Sequence, residues 1–176
     1  MRKVLFMLIS LLFLTDVFGQ NHLKFLDIPI DGTIESFGSS LSKKDYYKSS
    51  LSDKSYTGHF YQVIASVELH EDEINKKVNS VKVRYNQSMT GNNRNQMINL
   101  YLSITKGLKT KYKSAKITDT GDDIIFSLPQ GYIYCRIFST IFGAMGGGIN
   151  VELTYVDKTN TSNFKLPVLK SPDSDL

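Results

Sequence analysis

Cysteine is almost absent from this sequence, since Cys135 is the only one among 176 residues. One thiol cannot form a disulfide within the chain, and a CxxC pair for metal or redox chemistry is excluded. Ile133 and Ile137 share its face of a predicted strand, so we expect a buried, inert thiol rather than a nucleophile, which needs an exposed, electropositive setting. A chain of this length can bury a core without cross-links.

Histidines and paired carboxylates are also missing at the spacings that metal binding and catalysis require. The three histidines, His22, His59 and His70, show neither HxH nor HxxxH spacing. Asp122 and Asp123 are adjacent on a predicted strand, so their carboxylates point to opposite faces and are poorly placed to share a proton. We therefore expect no catalytic residues, no metal site and no cofactor.

Long apolar runs are missing except at the N-terminus. Two basic residues precede an apolar run from Val4 to Leu14, after which Val17 and Gly19 put small side chains at the positions that a signal peptidase reads. This pattern is typical of a secretory signal peptide over residues 1–19, with the mature chain beginning near Gln20. We expect no transmembrane segment after its removal, and an exported protein that is periplasmic or secreted.

No strong excess of either charge is present. The chain has 21 basic and 17 acidic residues. Residues 1–19 hold two of the basic and one of the acidic residues, so the remaining 19 basic and 16 acidic residues give a net charge of +3. The basic residues are scattered among acidic and polar ones rather than gathered into a stripe. We therefore expect no nucleic-acid partner.

Helical periodicity appears twice. In "DGTIESFGSSLSKK", Thr33 is placed to cap a helix whose apolar face carries Ile34, Phe37 and Leu41. From about Asn93 to Tyr112, apolar residues recur at intervals of three or four positions, which predicts a second, longer helix.

Strand periodicity fills the segments between and after the helices. The stretch "YTGHFYQVIASVELH" alternates as one strand, with Tyr61 pointing inward and Gln62 outward, and "NSVKVRYN" is expected to pair with it as an antiparallel hairpin. The strands "DDIIFSL" and "YIYCRIFST" flank a tight turn with Pro129 and Gly131, and "INVELTYVD" closes the series. Residues 166–176 are expected to be a flexible tail.

The order of these elements, α-β-β-(β)-α-β-β-β, predicts an α+β fold in a single domain over residues 20–165. Consecutive strands favour antiparallel pairing, so we expect a two-layer sandwich with a mainly antiparallel sheet and the helices on one face. Two smaller sheets, each with its own helix, are the alternative architecture.

Several stretches together carry a resemblance that covers nearly all of the mature chain. The stretches "HLKFLDIPIDGTIESF", "YTGHFYQV", "LKTKYK" and "INVELTYVDKTN" resemble small exported proteins of Bacteroidetes whose biochemical function is unassigned. Those proteins commonly have a glycine after the second helix, where this chain has Ser114. The arrangement is also similar, at the level of the fold, to β-lactamase inhibitory protein and to small outer-membrane assembly lipoproteins. The resemblance implies no catalytic residues, and a shared fold transfers no activity.

The strand "YIYCRIF" is the strongest candidate for a binding surface. Opposite Ile133 and Cys135 it presents residue types that dominate binding hot spots, namely Tyr132, Tyr134, Arg136 and Phe138. The residues expected to share this side of the sheet are Gln62, Lys82, Arg84 and Glu152. The alternative is that a loop or the C-terminal tail covers the aromatic side chains.

The glycine-rich stretch "FGAMGGGIN" is a second candidate. It lacks the Lys-Ser/Thr pair of a phosphate-binding loop and lies between strands, which favours a flexible hairpin loop. Phe142 and Met145 at its tip are the residues that would dock into a partner groove or a membrane surface.

The sequence therefore favours an exported, non-catalytic binding or inhibitor-like module that uses an open sheet face. A protein or a glycan of the cell envelope is the expected partner. An exported hydrolase with an unrecognised site and a structural envelope protein are the alternatives.

Overall fold

The computed structural model describes residues 22–141 and 147–169. The predicted signal peptide (residues 1–19), the loop residues Phe142 and Met145, and tail residues 170–176 lie outside the described residues.

The described residues form three helices and ten strands. The helices are α1 (Ile34–Ser42), α2 (Gln87–Thr90) and α3 (Arg94–Lys111). The first six strands are β1 (Lys24–Phe25), β2 (Ile28–Pro29), β3 (Tyr47–Lys48), β4 (Ser55–Phe60), β5 (Val63–Glu71) and β6 (Val78–Asn86). The last four strands are β7 (Lys116–Asp119), β8 (Asp123–Leu128), β9 (Gly131–Ile141) and β10 (Gly147–Asp157).

Eight of the strands form one antiparallel sheet, and β1 and β2 form a separate small hairpin. The order in the large sheet is β3-β4-β5-β6-β10-β9-β8-β7. It consists of two meanders, β3 to β6 and β7 to β10, which are joined where β10 pairs with β6. Helix α1 precedes the first meander and α3 precedes the second. The α+β class and the mainly antiparallel sheet are confirmed.

Both long helices begin at the residues that the sequence indicates. The Thr33 hydroxyl accepts a hydrogen bond from the Ser36 amide at the start of α1, at 3.2 Å. At the start of α3, Asn93 accepts from the Gln96 amide and the Gln96 side chain accepts from the Asn93 amide. This reciprocal capping box satisfies two amides that an uncapped helix would leave free.

One hydrophobic core connects the helices to the sheet. Helix α1 contributes Phe37 and Leu41, and its Gly38 lies against Tyr56 of β4; a Cβ at Gly38 would fall 1.8 Å from the Tyr56 hydroxyl. Helix α3 packs on β9 and β10. The strands contribute alternate residues that are fully buried, including Ala65, Val67, Leu69, Val81, Val83, Tyr85, Ile133, Cys135, Val151 and Leu153.

The predicted single strand from Tyr56 to His70 is wrong, because the chain reverses in its middle. Tyr61 and Gln62 form a two-residue turn between β4 and β5, with φ of 52° and 62°. Such a hairpin turn usually carries Gly, Asn or Asp, so the sequence contains no signal for it. The Tyr61 ring packs edge-on against Phe60 and lies over Gly107 of α3, where a Cβ would be 2.7 Å from its hydroxyl. These contacts hold a turn that its residue types disfavour.

Three other short elements are absent from the sequence prediction. Strands β3 and β7 form the two edges of the sheet, and α2 lies between β6 and α3. Each of these elements is four residues or shorter, which is too short for a periodicity to be recognised. Within the described ranges, no helix is both long and apolar enough to cross a membrane.

Candidate functional site

The strand side chains that alternate with the core residues form a second side of the sheet, which we call the polar face. It is defined by Tyr47, Thr57, Ser66, Glu68, Lys82, Arg84, Asp123, Tyr134, Arg136, Phe138, Asn150, Glu152 and Thr154. Tyr134, Arg136 and Phe138 lie on it, as the sequence predicts, together with Lys82, Arg84 and Glu152. Gln62 lies instead in the turn between β4 and β5.

Strand register aligns seven of these side chains in one row across the sheet. From the β3 edge the row runs Tyr47, Thr57, Ser66, Arg84, Glu152, Arg136 and Asp123. Neighbouring strands are about 4.8 Å apart, so six spacings give a row of about 29 Å. The last four residues of the row are charged, and Tyr47, which is 74% exposed, lies at its opposite end.

A buried carboxylate lies at the centre of the polar face, between two arginines. The Arg84 Nε donates to Glu152 at 2.7 Å, and the Arg136 Nη2 lies 3.2 Å from the other carboxylate oxygen. Arg84 also approaches Glu68, at 3.5 Å. A carboxylate removed from water is costly unless it is paired and hydrogen-bonded, and the two guanidinium groups meet both conditions. Glu152 therefore fixes the positions of both arginines.

Phe138 supports one of these arginines. The Arg136 guanidinium lies over the Phe138 ring, 4.4 Å from its centroid, in cation–π geometry. The planar cation is thus held on its edge by Glu152 and on its face by an aromatic ring. A side chain restrained in this way loses little further freedom when a ligand binds to it.

Tyr134 is tied to the neighbouring strand. Its hydroxyl donates a hydrogen bond to Asp123 at 2.6 Å, and its ring is half-buried. Burial, together with the Asp123 carboxylate, raises the pKa of Tyr134 to about 12. The phenol is therefore protonated at neutral pH and acts as a hydrogen-bonding aromatic, not as a base.

Tyr132 is the fourth candidate binding residue on this strand. It lies beside the C-terminal segment. Its ring centroid is 5.7 Å from that of Phe164. The C-terminal segment therefore covers part of this end of the face, which is the alternative that the sequence left open. The contact between Tyr132 and Phe164 could not be predicted from the sequence, because Phe164 lies in a polar stretch without periodicity.

A shallow depression opens at the centre of the polar face. Its volume is about 400 Å³, and its lining includes Ser66, Arg84, Arg136, Phe138 and Asn150. Hydroxyl, amide and guanidinium groups surround one aromatic ring there. The depression can accept a polar or charged group by hydrogen bonding.

Two stretches that are far apart in the sequence, "FLDIPIDG" and "YVDKTN", meet at one edge of the fold. We call the hydrogen-bonded contact between these two parts of the chain the latch. Asp157 is fully buried and accepts hydrogen bonds from the amides of Leu23, at 2.6 Å, Thr159, at 2.9 Å, and Asn160, at 3.1 Å. Its Oδ1 also lies 3.2 Å from the His22 Nδ1. The motif residues have a structural role, because they bind the N-terminal hairpin to the end of β10.

Asn160 and Asp72 extend the latch. The side-chain amide of Asn160 donates hydrogen bonds to the Ile30 carbonyl, at 2.9 Å, and to the Asp31 carboxylate, at 3.0 Å. Asp72 accepts from the amide and hydroxyl of Ser162, at 2.8 and 2.7 Å. Both side chains are buried, so each hydrogen bond also satisfies a group that water does not reach.

Acid is expected to weaken the latch. Hydrogen bonds from Ser162 hold the pKa of Asp72 well below its ordinary value. Burial raises the pKa of Asp31, but hydrogen bonds from the Gly32 amide, Lys77 and Asn160 lower it by more. A carboxyl group whose pKa is lower in the folded state stabilises the fold fully above its unfolded pKa, about 4, and this stabilisation is lost as the pH falls further.

Urea unfolding at neutral pH and at about pH 3 measures this effect. We expect a lower midpoint at pH 3, and a smaller pH dependence in the Asp72→Asn variant, whose side chain does not titrate. A midpoint that depends on pH equally in both proteins would contradict the role given to Asp72.

The remaining titratable candidates are placed as isolated groups. Cys135 is fully buried, and burial raises the pKa of its thiol far above the ordinary range. Burial lowers the pKa of His70, whose nearest acidic partner is Glu68 at 3.9 Å. In the part of the chain that the structure describes, no three His, Cys, Asp or Glu side chains are grouped to hold a metal ion.

Comparisons with protein-family models, with characterised proteins and with solved structures found no match for this chain.

Proposed function

We propose that this protein is an exported, non-catalytic binding module, inhibitor-like in its mode of action, that holds a partner on the polar face of its sheet. The proposal includes a two-layer arrangement in which the helices cover the opposite face. It also includes export directed by residues 1–19, in line with the resemblance to small exported Bacteroidetes proteins.

The observation that carries the proposal is the restrained pair of arginines at the centre of the polar face. Arg84 and Arg136 have side chains that are 49% and 38% exposed, while the carboxylate between them is 4% exposed. Arginine and tyrosine dominate binding hot spots, and Tyr134 lies one row away from the arginines. A surface that combines these groups is suited to recognition.

The size of the face also supports a macromolecular partner. A row of about 29 Å has the dimensions of an ordinary protein interface, which buries about 800 Å² on each partner. The depression is shallow and lies within this larger surface, so it would receive one side chain of the partner rather than enclose a whole small molecule.

Photo-crosslinking tests the proposal. A photoreactive phenylalanine analogue placed at Thr57 or Thr154 would lie on the polar face, and one placed at Leu102 or Lys106 would lie on exposed positions of α3. In cells that produce the protein, we expect one crosslinked partner from both polar-face positions and none from the helix positions. Crosslinks from α3 alone would contradict the proposed binding surface.

A further inference from the structure

We propose that the central depression binds a carboxylate that is carried by an acidic segment of the partner protein. This inference rests on the proposed function and specifies the chemistry of its partner.

The exposed charge in the lining of the depression is positive, and Glu68, which lies 3.5 Å from Arg84, is not among the lining residues. Two half-exposed guanidinium groups flank Glu152, which is almost completely shielded from solvent and has both oxygens occupied by Arg84 and Arg136. A partner cation would find no free oxygen on Glu152. A partner anion, in contrast, would meet two cations whose positions are already set.

The arginines also have hydrogen-bond donors to spare. Arg84 uses its Nε toward Glu152 and its Nη1 toward Glu68, and the Arg136 Nη2 lies beside Glu152. The Arg136 Nε is shielded from solvent, so a partner would use the Nη groups of the two arginines instead. A guanidinium group offers five N–H donors, so a second carboxylate can bind from the solvent side while Glu152 stays in place.

A protein segment fits the surroundings better than an acidic sugar does. The depression has Phe138 and Arg136 stacked in its wall and extends along a row of polar side chains across seven strands. Arginine and aromatic residues are enriched at protein interfaces, and an extended row offers contacts to several residues on both sides of the carboxylate.

Fluorescence anisotropy tests the inference with a defined probe. The probe is a short fluorescein-labelled peptide in which glutamate alternates with serine, and its matched control has glutamine in place of each glutamate. We expect the glutamate peptide to bind more tightly by about tenfold or more, and its affinity to fall as salt is raised.

A charge-neutral double variant separates the site from the net charge of the protein. Arg136→Gln with Glu152→Gln removes one cation and one anion, and leaves no buried carboxylate short of a partner. We expect it to bind the glutamate peptide about tenfold more weakly. The matched control, Lys54→Gln with Glu71→Gln, removes an ion pair of 3.2 Å from another part of the surface and is expected to bind like the wild type.

A conservative variant keeps the test informative if the double variant unfolds. Arg136→Lys retains a cation beside Glu152 but lacks the planar fork that binds a carboxylate through two hydrogen bonds. We expect it to bind the glutamate peptide about fivefold more weakly, with a normal circular dichroism spectrum.

Three results would overturn the inference. These are equal binding of the glutamate and glutamine peptides, equal binding by the Arg136 variants and the wild type, and arginine-dependent binding of polygalacturonate when the glutamate peptide does not bind. If the glutamate peptide fails to bind while photo-crosslinking still places the partner on the polar face, the inference fails and the proposed function stands.

Discussion

Replacing Asp157 with alanine is expected to lower the free energy of unfolding by about 4 kcal/mol. The carboxylate is fully buried and accepts hydrogen bonds from three backbone amides, those of Leu23, Thr159 and Asn160. Each amide that is left buried without a partner costs about 1–3 kcal/mol. Because one of these amides lies at the N-terminal hairpin, the substitution is also expected to free that hairpin from β10.

Urea unfolding followed by circular dichroism measures this loss. Asp122→Asn is the matched control, because Asp122 is exposed and the change should stay within about 0.5 kcal/mol of the wild type. If Asp157→Ala were as stable as this control, the latch would contribute nothing to the free energy of unfolding, and the structural role given to its residues would be wrong.

The latch illustrates which parts of this fold are readable from the sequence. The cap at Thr33 is local, and the structure confirms it. The contact between Asp157 and Leu23 joins residues that are 134 positions apart. No local sequence pattern predicts such a contact. The two stretches could therefore be recognised in the sequence, but the contact between them could not be predicted.

The turn at Tyr61 and Gln62 shows a different limit. Glycine, asparagine or aspartate usually marks a tight hairpin turn in a sequence, and this turn has none of them. Its left-handed backbone is accompanied by packing of the Tyr61 ring on Phe60 and over Gly107. Tertiary contacts override local preference here, which is why two strands were predicted as one.

The candidate site was predicted in part. Alternation along β9 places Tyr134 and Arg136 opposite Ile133 and Cys135, and the structure has this arrangement. The bridge of Glu152 between Arg84 and Arg136 depends on β10 lying between β6 and β9 in one particular register. The sequence indicates a shared side for these residues, but the register that brings the three charges together comes from long-range pairing.

Two adjacent residues of β9 test whether the polar face is the binding surface, because their side chains point to opposite sides of the sheet. Ile133 is fully buried in the core, and Tyr134 is half-buried on the polar face. Ile133→Ala is expected to lower the free energy of unfolding by about 2–5 kcal/mol through a core cavity. Tyr134→Ala removes a half-buried ring and one hydrogen bond, to Asp123, and is expected to cost the fold about 1–2 kcal/mol.

Binding is expected to show the reverse order. With the partner identified by photo-crosslinking, isothermal titration calorimetry on the folded proteins gives the Kd of each variant. We expect a loss of about 2 kcal/mol in binding free energy, or about thirtyfold in Kd, for Tyr134→Ala and no change per folded molecule for Ile133→Ala. If Tyr134→Ala instead unfolds the protein and leaves the Kd of the folded fraction unchanged, Tyr134 belongs to the core and the polar face is not the binding surface.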